Sequence, residues 1–184
     1  MRVVAGSARS ILLSTPSGND TRPTTDRIKE TLFNIIQLDV PGSRVLDLFA
    51  GSGALGIESL SRGAECACFV DKKREAVACV TDNVKRAGFE NVSTILYMDF
   101  ASAIGRLKTD GRKFDLVFLD PPYDKGLEIE ALRLLAMADV LDDDALVIVE
   151  ASAEHSPEAL EGCGFTVERI KTYKTNKHYF LRKA

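Results

Sequence analysis

The sequence predicts an α/β fold with a doubly wound, mostly parallel sheet of seven strands. From Arg44 onward, apolar runs of strand length alternate with segments of helical periodicity, a rhythm typical of parallel sheets covered by helices on both faces. After Gly164, two strand-like segments flank a short polar turn, which predicts an antiparallel hairpin at one edge of the sheet. The chain of 184 residues has the length of one such domain.

The first 40 residues are predicted to form an extension ahead of a core that spans residues 41–184. Two apolar runs near the N-terminus flank Gly6-Ser7, which predicts a hairpin or a pair of edge strands, and residues 17–20 have the composition of a loop. A helix should follow, because apolar residues recur at helical spacing. Its predicted apolar face consists of Ile28, Leu32, Ile35 and Ile36.

The core is predicted to hold five parallel strands, four helices and the hairpin. The strands are expected at Arg44–Phe49, Cys66–Val70, Val92–Tyr97, Phe114–Leu119 and Ala145–Glu150. The helices are expected near Ala54–Ser61, Lys73–Ala87, Phe100–Leu107 and Leu127–Ala138, and the hairpin strands at Gly164–Tyr173 and His178–Arg182. In the expected order 3-2-1-4-5, the first and fourth strands are neighbours, so the residues that follow them should meet in space.

A strand, a glycine turn and a helix start follow one another between Val45 and Gly56. The spacing Gly51-x-Gly53-x-x-Gly56 matches the dinucleotide fingerprint, although glycines needed only for a tight strand–helix turn would give the same spacing. Asp71 favours the binding interpretation because it ends the next strand, twenty residues after Gly51, where an acid can bind both ribose hydroxyls. The segment therefore predicts a ligand that carries a ribose.

Asp47 indicates which ribose-bearing ligand the turn would hold. It lies at the mouth where a dinucleotide would place its pyrophosphate, and two negative groups there would repel each other. S-adenosyl-L-methionine instead brings an ammonium, which Asp47 would attract, and a sulfonium that the rings of Phe49 and Tyr123 could face. Asp99 and Phe100 end the third strand and are candidates for holding the adenine, although Phe100 could equally be ordinary core.

Asp120-Pro121-Pro122-Tyr123 follows the fourth strand, at the edge where open α/β sheets bind ligands. The two prolines have no N–H groups and keep the preceding residues extended, so the turn presents hydrogen-bond acceptors and few donors. An amino group with two hydrogens suits such a rim, and Tyr123 could stack on a flat ring. The four residues therefore predict a pocket for the exocyclic amine of a nucleobase.

Charge is unevenly distributed along the chain. The net charge of −3 argues against a nucleic-acid protein, but the segment from Arg169 to Ala184 carries six basic residues and no acid. A basic binding face is predicted if this segment converges with the N-terminal arm, whereas simple solvation of both ends is the alternative. The candidate phosphate contacts are Arg9, Arg22, Lys174 and Lys177.

Several site classes are not supported by the sequence. The four cysteines and two histidines lack metal-ligand spacing, so reduced structural thiols are expected, and His155 and His178 are predicted to be surface histidines. The N-terminus lacks the apolar stretch of a signal peptide, and no run is long enough to cross a bilayer. A cytoplasmic protein without a membrane partner is therefore expected.

Three segments carry a family resemblance: Thr21–Asn34, Val45–Gly56 and Asp120–Tyr123. Together they resemble the bacterial RsmD family of class I S-adenosyl-L-methionine-dependent methyltransferases, which modify guanine N2 of 16S ribosomal RNA. The N-terminal arm departs from that family, because Ala5 and Ser10 stand where it usually has glycine.

The resemblance implies a Rossmann-like fold and methyl transfer to guanine 966 of 16S rRNA. The small recognition surface favours an assembled small subunit as the substrate, and a monomeric enzyme is expected. S-adenosyl-L-methionine would be the cofactor, S-adenosyl-L-homocysteine the product, and no metal would be required. With the residue patterns, it assigns catalysis to Asp120, Pro121, Pro122 and Tyr123. The assigned cofactor-binding residues are Asp47, Phe49, Ala50, Gly51, Ser52, Gly53, Asp71, Lys72, Asp99 and Phe100.

Three other functions fit part of the pattern. An adenine-N6 or cytosine-N4 DNA methyltransferase would use the same acceptor rim, but such enzymes generally need a sizeable extra region to read a DNA sequence. A nicotinamide-dependent oxidoreductase shares the glycine turn but has no use for Asp47 or the proline rim. A non-catalytic RNA-binding module would leave the acids of the predicted cofactor site unexplained.

Overall fold

The computed structural model describes residues 1–16, 26–123 and 125–184. Its helices are α1 (Asp26–Ile35), α2 (Ala54–Ser61), α3 (Arg74–Ala87), α4 (Phe100–Thr109) and α5 (Leu127–Ala138). Its strands are β1 (Arg44–Asp47), β2 (Cys66–Asp71), β3 (Ser93–Tyr97), β4 (Phe114–Leu119), β5 (Leu141–Ser152), β6 (Phe165–Thr172) and β7 (Asn176–Lys183). No helix in these ranges is long and apolar enough to cross a membrane.

The strands form one sheet in the order β3-β2-β1-β4-β5-β7-β6. Strands β1 to β5 pair in parallel, and the last two strands pair antiparallel with their neighbours. The predicted fold class and the neighbouring positions of the first and fourth strands are therefore confirmed. The carboxyl ends of β1 and β4 lie side by side, because Asp47 is in register with Phe118.

The sheet is covered on both faces by hydrophobic layers. Alternate residues of β4 belong to different layers. Val117 and Leu119 pack with α4 and α5, whereas Leu116 and Phe118 pack with α2, α3 and the N-terminal arm. Burial on both faces explains why this strand is a continuous apolar run rather than an alternating one. It also holds the turn that follows β4 at a fixed place on the sheet edge.

The predicted bounds agree with the structure at α2, α5 and β4 and differ most at β5. The sequence predicts a strand at Ala145–Glu150, but β5 begins at Leu141 and ends at Ser152. Its C-terminal extension pairs with β7 through Ser152 and Asn176, which are in register. The exposed acids at residues 142–144 conceal its start, because they lack the apolar character of a buried strand.

The N-terminal arm has the hairpin form rather than that of edge strands in the main sheet. Arg2 and Leu12 form an isolated antiparallel bridge, and the arm packs in the same hydrophobic layer as α1 and α2. The predicted helix is confirmed, but its buried face was predicted incompletely. Ile28 and Ile35 are only half-buried, whereas Lys29 and Phe33 are fully buried.

A charged cluster holds the arm to these helices. The Nζ atom of Lys29 lies 3.0 Å from Oε2 of Glu58 and donates to the carbonyl of Arg2 at 2.6 Å. Both side chains of the pair are inaccessible to solvent. Glu58 also accepts from the backbone N–H groups of Val4 and Ala5 and from Arg62. The carboxylate is thus fully surrounded by donors, as a buried charge requires.

Ser10→Gly is expected to stabilise the protein by up to about 1 kcal/mol. Ser10 has φ 72°, a left-handed conformation that costs energy for a residue with a Cβ atom. Chemical denaturation would measure the change. Ala5→Gly is the matched control, because among the described non-glycine residues only Ser10 and Asp139 have positive φ. That control should lower stability, and a stabilised Ala5→Gly with an unaltered Ser10→Gly would contradict the strain at Ser10.

Candidate active site

A cleft of about 640 Å³ opens at the carboxyl edge of the sheet, between the turn after β1 and the turn after β4. It brings together the two motifs that the sequence separates by some seventy residues, Asp47–Ser52 and Asp120–Tyr123. Met1, Thr15 and Pro16 of the N-terminal arm line it as well. Nine of the ten assigned cofactor residues lie on its wall, namely Asp47, Phe49, Ala50, Gly51, Ser52, Asp71, Lys72, Asp99 and Phe100.

Gly53 is the assigned residue that lies behind the cleft wall. It caps the N-terminus of α2 in a left-handed conformation with φ 75°, which a glycine adopts without strain. Gly56, one turn on, lets α2 approach β2, because a Cβ atom there would come within 2.3 Å of the Phe69 ring. These two glycines therefore serve the turn and the packing of the helix, while Gly51 lines the cleft.

Asp71 holds the glycine loop from the end of β2. Its Oδ2 accepts from the backbone N–H of Gly51 at 3.0 Å, and its Oδ1 accepts from the N–H of Lys73 at 2.8 Å. A carboxylate has about four acceptor positions, so capacity remains for two hydroxyl groups of a ribose. The geometry is compatible with the predicted role and adds a second one, the fixing of the loop.

Asn83 is a residue of this region that the sequence did not reveal. Its side chain is fully buried on α3, and its Nδ2 donates to the carbonyls of Ser14 and Ser52, each at 2.9 Å. Its Oδ1 accepts from the N–H of Ser14, also at 2.9 Å. One side chain thus joins the glycine loop to the segment that leads into Thr15 and Pro16, so it fixes two walls of the cleft.

The electrostatics of the cleft are dominated by carboxylates. Burial raises the pKa of Asp47 to about 7; N–H groups of Gly56 and Phe49 oppose this shift and the charge of Asp71 adds to it. Burial also raises the pKa of Asp120 well above its ordinary value, with the charges of Glu150 and Asp47 acting in the same direction. A cationic guest would relieve this repulsion, whereas a pyrophosphate would increase it.

Another part of the cleft is lined by Phe49, Phe100 and Asp99. The two rings lie 5.3 Å apart between centroids, pack partly against the core and line the cleft, so Phe100 is partly core and its contact with adenine stays a prediction. Asp99 caps α4: its Oδ1 accepts from the N–H of Ser102 and its Oδ2 from the Ser102 hydroxyl. These bonds lower the pKa of Asp99 and occupy part of the acceptor capacity that adenine would need.

The rim after β4 is supported from behind by Glu150, on β5. The Tyr123 hydroxyl donates to Glu150 Oε1 at 2.8 Å, and Nε2 of His178 lies 3.0 Å from Oε2. The prediction that His178 is a surface histidine is wrong, since only 1% of the residue is exposed. His155 is half-buried and lies 3.4 Å from Glu128, so the same prediction fails there. Spacing along the chain could not show partners supplied by other strands.

The basic candidates do not form one patch. Lys174 is exposed in the turn between β6 and β7, which projects beyond Ser152 at the cleft edge of the sheet. Lys177 is adjacent, but its ammonium donates to the carbonyl of His155 at 2.7 Å. Arg9 is exposed beside the C-terminal end of α2, towards the opposite edge, because its neighbours Ser7 and Ala8 bond to Ser61. Arg22 lies outside the described residues.

The family described as Conserved hypothetical protein 95, which is the RsmD family, matches residues 1–182. This chain belongs to the RsmD family. The resemblance that the three sequence segments predict is therefore confirmed.

Two curated RsmD relatives are named ribosomal RNA small subunit methyltransferase D. The protein from Escherichia coli strain K12 is 36% identical over 84% of this chain and 76% of its own length. The Haemophilus influenzae protein is 35% identical over 84% and 80%.

The RsmD fold is also seen in a solved structure. The Escherichia coli protein yhhF superposes with a TM-score of 0.84 at 30% identity, covering all of this chain and 97% of that one. The agreement extends over the N-terminal arm as well as the sheet. The seven-stranded Rossmann-like architecture is therefore shared with a protein of known structure.

Proposed function

We propose that this protein transfers a methyl group from S-adenosyl-L-methionine to the exocyclic N2 amine of a guanine in 16S rRNA. The observation that supports this function best is the cleft, which joins an acidic, ring-lined ligand site to an acceptor rim at neighbouring strands. Its relatives of the same family are named as methyltransferases of small-subunit ribosomal RNA. Guanine 966 is the target that the family resemblance implies.

The residues of the cleft fit S-adenosyl-L-methionine. Asp71 would hold the ribose, Asp47 would attract the ammonium, and the Phe49 and Phe100 rings would pack beside the sulfonium and adenine. When bound, this molecule supplies a methyl group that its sulfonium already activates, so no residue need form a covalent intermediate. The repulsion among Asp47, Asp71 and Asp120 supports a cationic guest over a nicotinamide dinucleotide.

The rim residues would orient and deprotonate the amine. The Asp120 carboxylate and the Pro121 carbonyl would accept its two hydrogens, which aims the nitrogen lone pair at the methyl carbon and stabilises the charge that develops on nitrogen. Asp120 would then take the released proton, a role that its raised pKa favours. The base must leave its stack to reach the rim, and stacking on Tyr123 would return about 1–3 kcal/mol.

The acceptor rim alone would fit adenine N6 or cytosine N4 equally well. What supports guanine in rRNA is membership of the RsmD family, and what opposes a DNA substrate is the absence of a large recognition insert among the described residues. A small recognition surface favours an assembled small subunit over naked RNA. We further propose that the enzyme acts as a monomer.

A methyl-transfer assay with three substrates tests this function. Purified protein and labelled S-adenosyl-L-methionine would be mixed with small subunits that lack the modification, with naked 16S rRNA, or with duplex DNA. We expect transfer to the small subunits, less to naked rRNA and none to DNA. Calorimetry should show binding of S-adenosyl-L-homocysteine and none of NAD. Transfer to DNA, or to no RNA substrate, would contradict the proposal.

The salt dependence of RNA binding tests the basic candidates. Lys174→Gln is expected to weaken binding and reduce the slope of log affinity against log salt by about 0.7 to 0.9, the value for one phosphate contact. Lys177→Gln should do the same, with thermal unfolding measured because its ammonium also bonds to His155. Arg9→Gln distinguishes an RNA-binding surface that is confined to the cleft edge from one that extends around the sheet, because only the second would include Arg9. An unchanged slope would remove the substituted residue from the interface.

A further inference from the structure

Glu150 is the centre of a buried hydrogen-bond network behind the cleft. Its Oε1 accepts from the Tyr123 hydroxyl and from Nδ2 of Asn176, each at 2.8 Å, and its Oε2 lies 3.0 Å from His178 Nε2. Only 9% of the residue is exposed. Burial alone would raise the pKa of Glu150, but the donors from His178, Tyr123 and Asn176 outweigh it and lower that pKa. The group therefore remains an anion that holds three donors.

One of these donors belongs to the proposed catalytic rim. Tyr123 lines the main cleft, and on its far side it shares a small cavity of about 10 Å³ with Glu150 and Pro121. The ring stands on the turn after β4, which is a loop, so no helix or strand geometry sets its position. The bond to a buried, anionic acceptor fixes the phenol at one end, and charge-assisted bonds of this kind are stronger than neutral ones.

A purely structural role would not require this arrangement. The strands β5 and β7 are already joined by seven residue pairs in register, of which Glu150 and His178 form one. Within the same part of the protein, Glu128 is also buried and also lies near a histidine, His155. Glu128 lines the same small cavity, but Glu150 differs from it in that its carboxylate accepts a hydrogen bond from Tyr123.

We propose that Glu150 is a positioning residue for methyl transfer, which holds the Tyr123 hydroxyl so that the ring and the Asp120-Pro121 acceptors keep the geometry that the target amine needs. This role rests on the proposed function. In this role the Tyr123 hydroxyl matters as well as the ring, because the hydroxyl sets where the ring lies.

Tyr123→Phe is the cleanest test, because it removes the anchor while the ring, Glu150 and the other two donors remain. We expect kcat on small subunits to fall about tenfold, the range of one hydrogen bond to a charged group. The affinity for S-adenosyl-L-homocysteine and the melting temperature should change little, since an aromatic ring still lines the cleft and Glu150 keeps its contacts with Asn176 and His178.

A double-mutant cycle with Glu150→Leu tests whether the two residues act as one unit. Glu150→Leu should lower kcat by a similar factor, and the double variant should be no slower than the slower single variant. Glu128→Gln is the matched control and should keep the wild-type kcat. Glu150→Leu also leaves Asn176 and His178 without their acceptor, so its fold must be verified, and Tyr123→Phe keeps the proposal testable if that variant unfolds.

The outcomes separate the two proposals. A wild-type protein that methylates no RNA would contradict the proposed function. A wild-type protein that methylates small subunits, together with Tyr123→Phe at full kcat, would overturn the positioning role alone. Independent, multiplicative effects in the double variant would overturn it as well, because they would show that Glu150 does not act through the hydroxyl.

Discussion

Asp120→Ala is expected to abolish methyl transfer while S-adenosyl-L-homocysteine still binds with nearly wild-type affinity. Removing a single preorganised partner of a developing charge typically costs about 100- to 1000-fold in rate, and Asp120 would also be the proton acceptor. The carboxylate lines the cleft beside Pro121, where the proposed mechanism puts the amine rather than the ribose. Single-turnover transfer to small subunits would measure the loss, and calorimetry would measure binding.

Asp71→Asn is the matched control for this experiment, because it alters an acid at the other end of the same cleft. It should weaken S-adenosyl-L-homocysteine binding, since Asp71 fixes Gly51 and would hold the ribose. At saturating S-adenosyl-L-methionine its kcat should be largely retained. Near-normal methylation by Asp120→Ala, or loss of binding without loss of kcat, would contradict the role of Asp120.

Lys29→Met is expected to lower the free energy of unfolding by about 3–5 kcal/mol, the usual cost of removing one partner from a buried ion pair. The substitution leaves Arg62 as the remaining cation beside Glu58 among the described residues, at a carboxylate with no access to solvent, and it removes the donor to the Arg2 carbonyl. Because proteins of this size are stable by only about 5–15 kcal/mol, the effect should be large in a denaturant titration.

Two further variants identify the cause of this loss. Arg2→Ala breaks a largely exposed ion pair with Asp26 in the same region and should cost less than about 1 kcal/mol. Adding Glu58→Gln to Lys29→Met should restore part of the stability, because a neutral amide then replaces a buried carboxylate that has lost one of its two cationic partners, and its oxygen still accepts from Val4 or Ala5. A loss below about 1 kcal/mol in Lys29→Met would show that the buried pair is not what holds the arm.

Periodicity and turn residues were sufficient to predict the order of the five parallel strands. The apolar run of β4 and the glycine turn after β1 have physical signals within a few residues, and the rule for strand order then placed the two motifs together. The end of β5 lacked such a signal. Its last residues are strand because β7 returns beside them, which is a long-range pairing that local composition cannot encode.

The residues that sequence reasoning missed are buried polar groups whose partners are distant in the chain. His178 is paired in register with Glu150 on the neighbouring strand, Asn83 contacts the glycine loop from α3, and Lys29 contacts Glu58 from another helix. From the sequence alone each resembles an ordinary surface residue, because its partner is not apparent. Asp99 shows the opposite case: its position after β3 was predicted, but its capping of α4 was not, although an Asp directly before a helical segment is a local capping signal.

The identity of the methylated nucleoside tests the central proposal most directly. Small subunits that lack the modification would be treated with the enzyme and S-adenosyl-L-methionine, and the rRNA would be digested and analysed by mass spectrometry against nucleoside standards. We predict N2-methylguanosine as the product, and none with Asp120→Ala. N6-methyladenosine or N4-methylcytidine as the product would show that the acceptor rim serves a different base and would contradict the account.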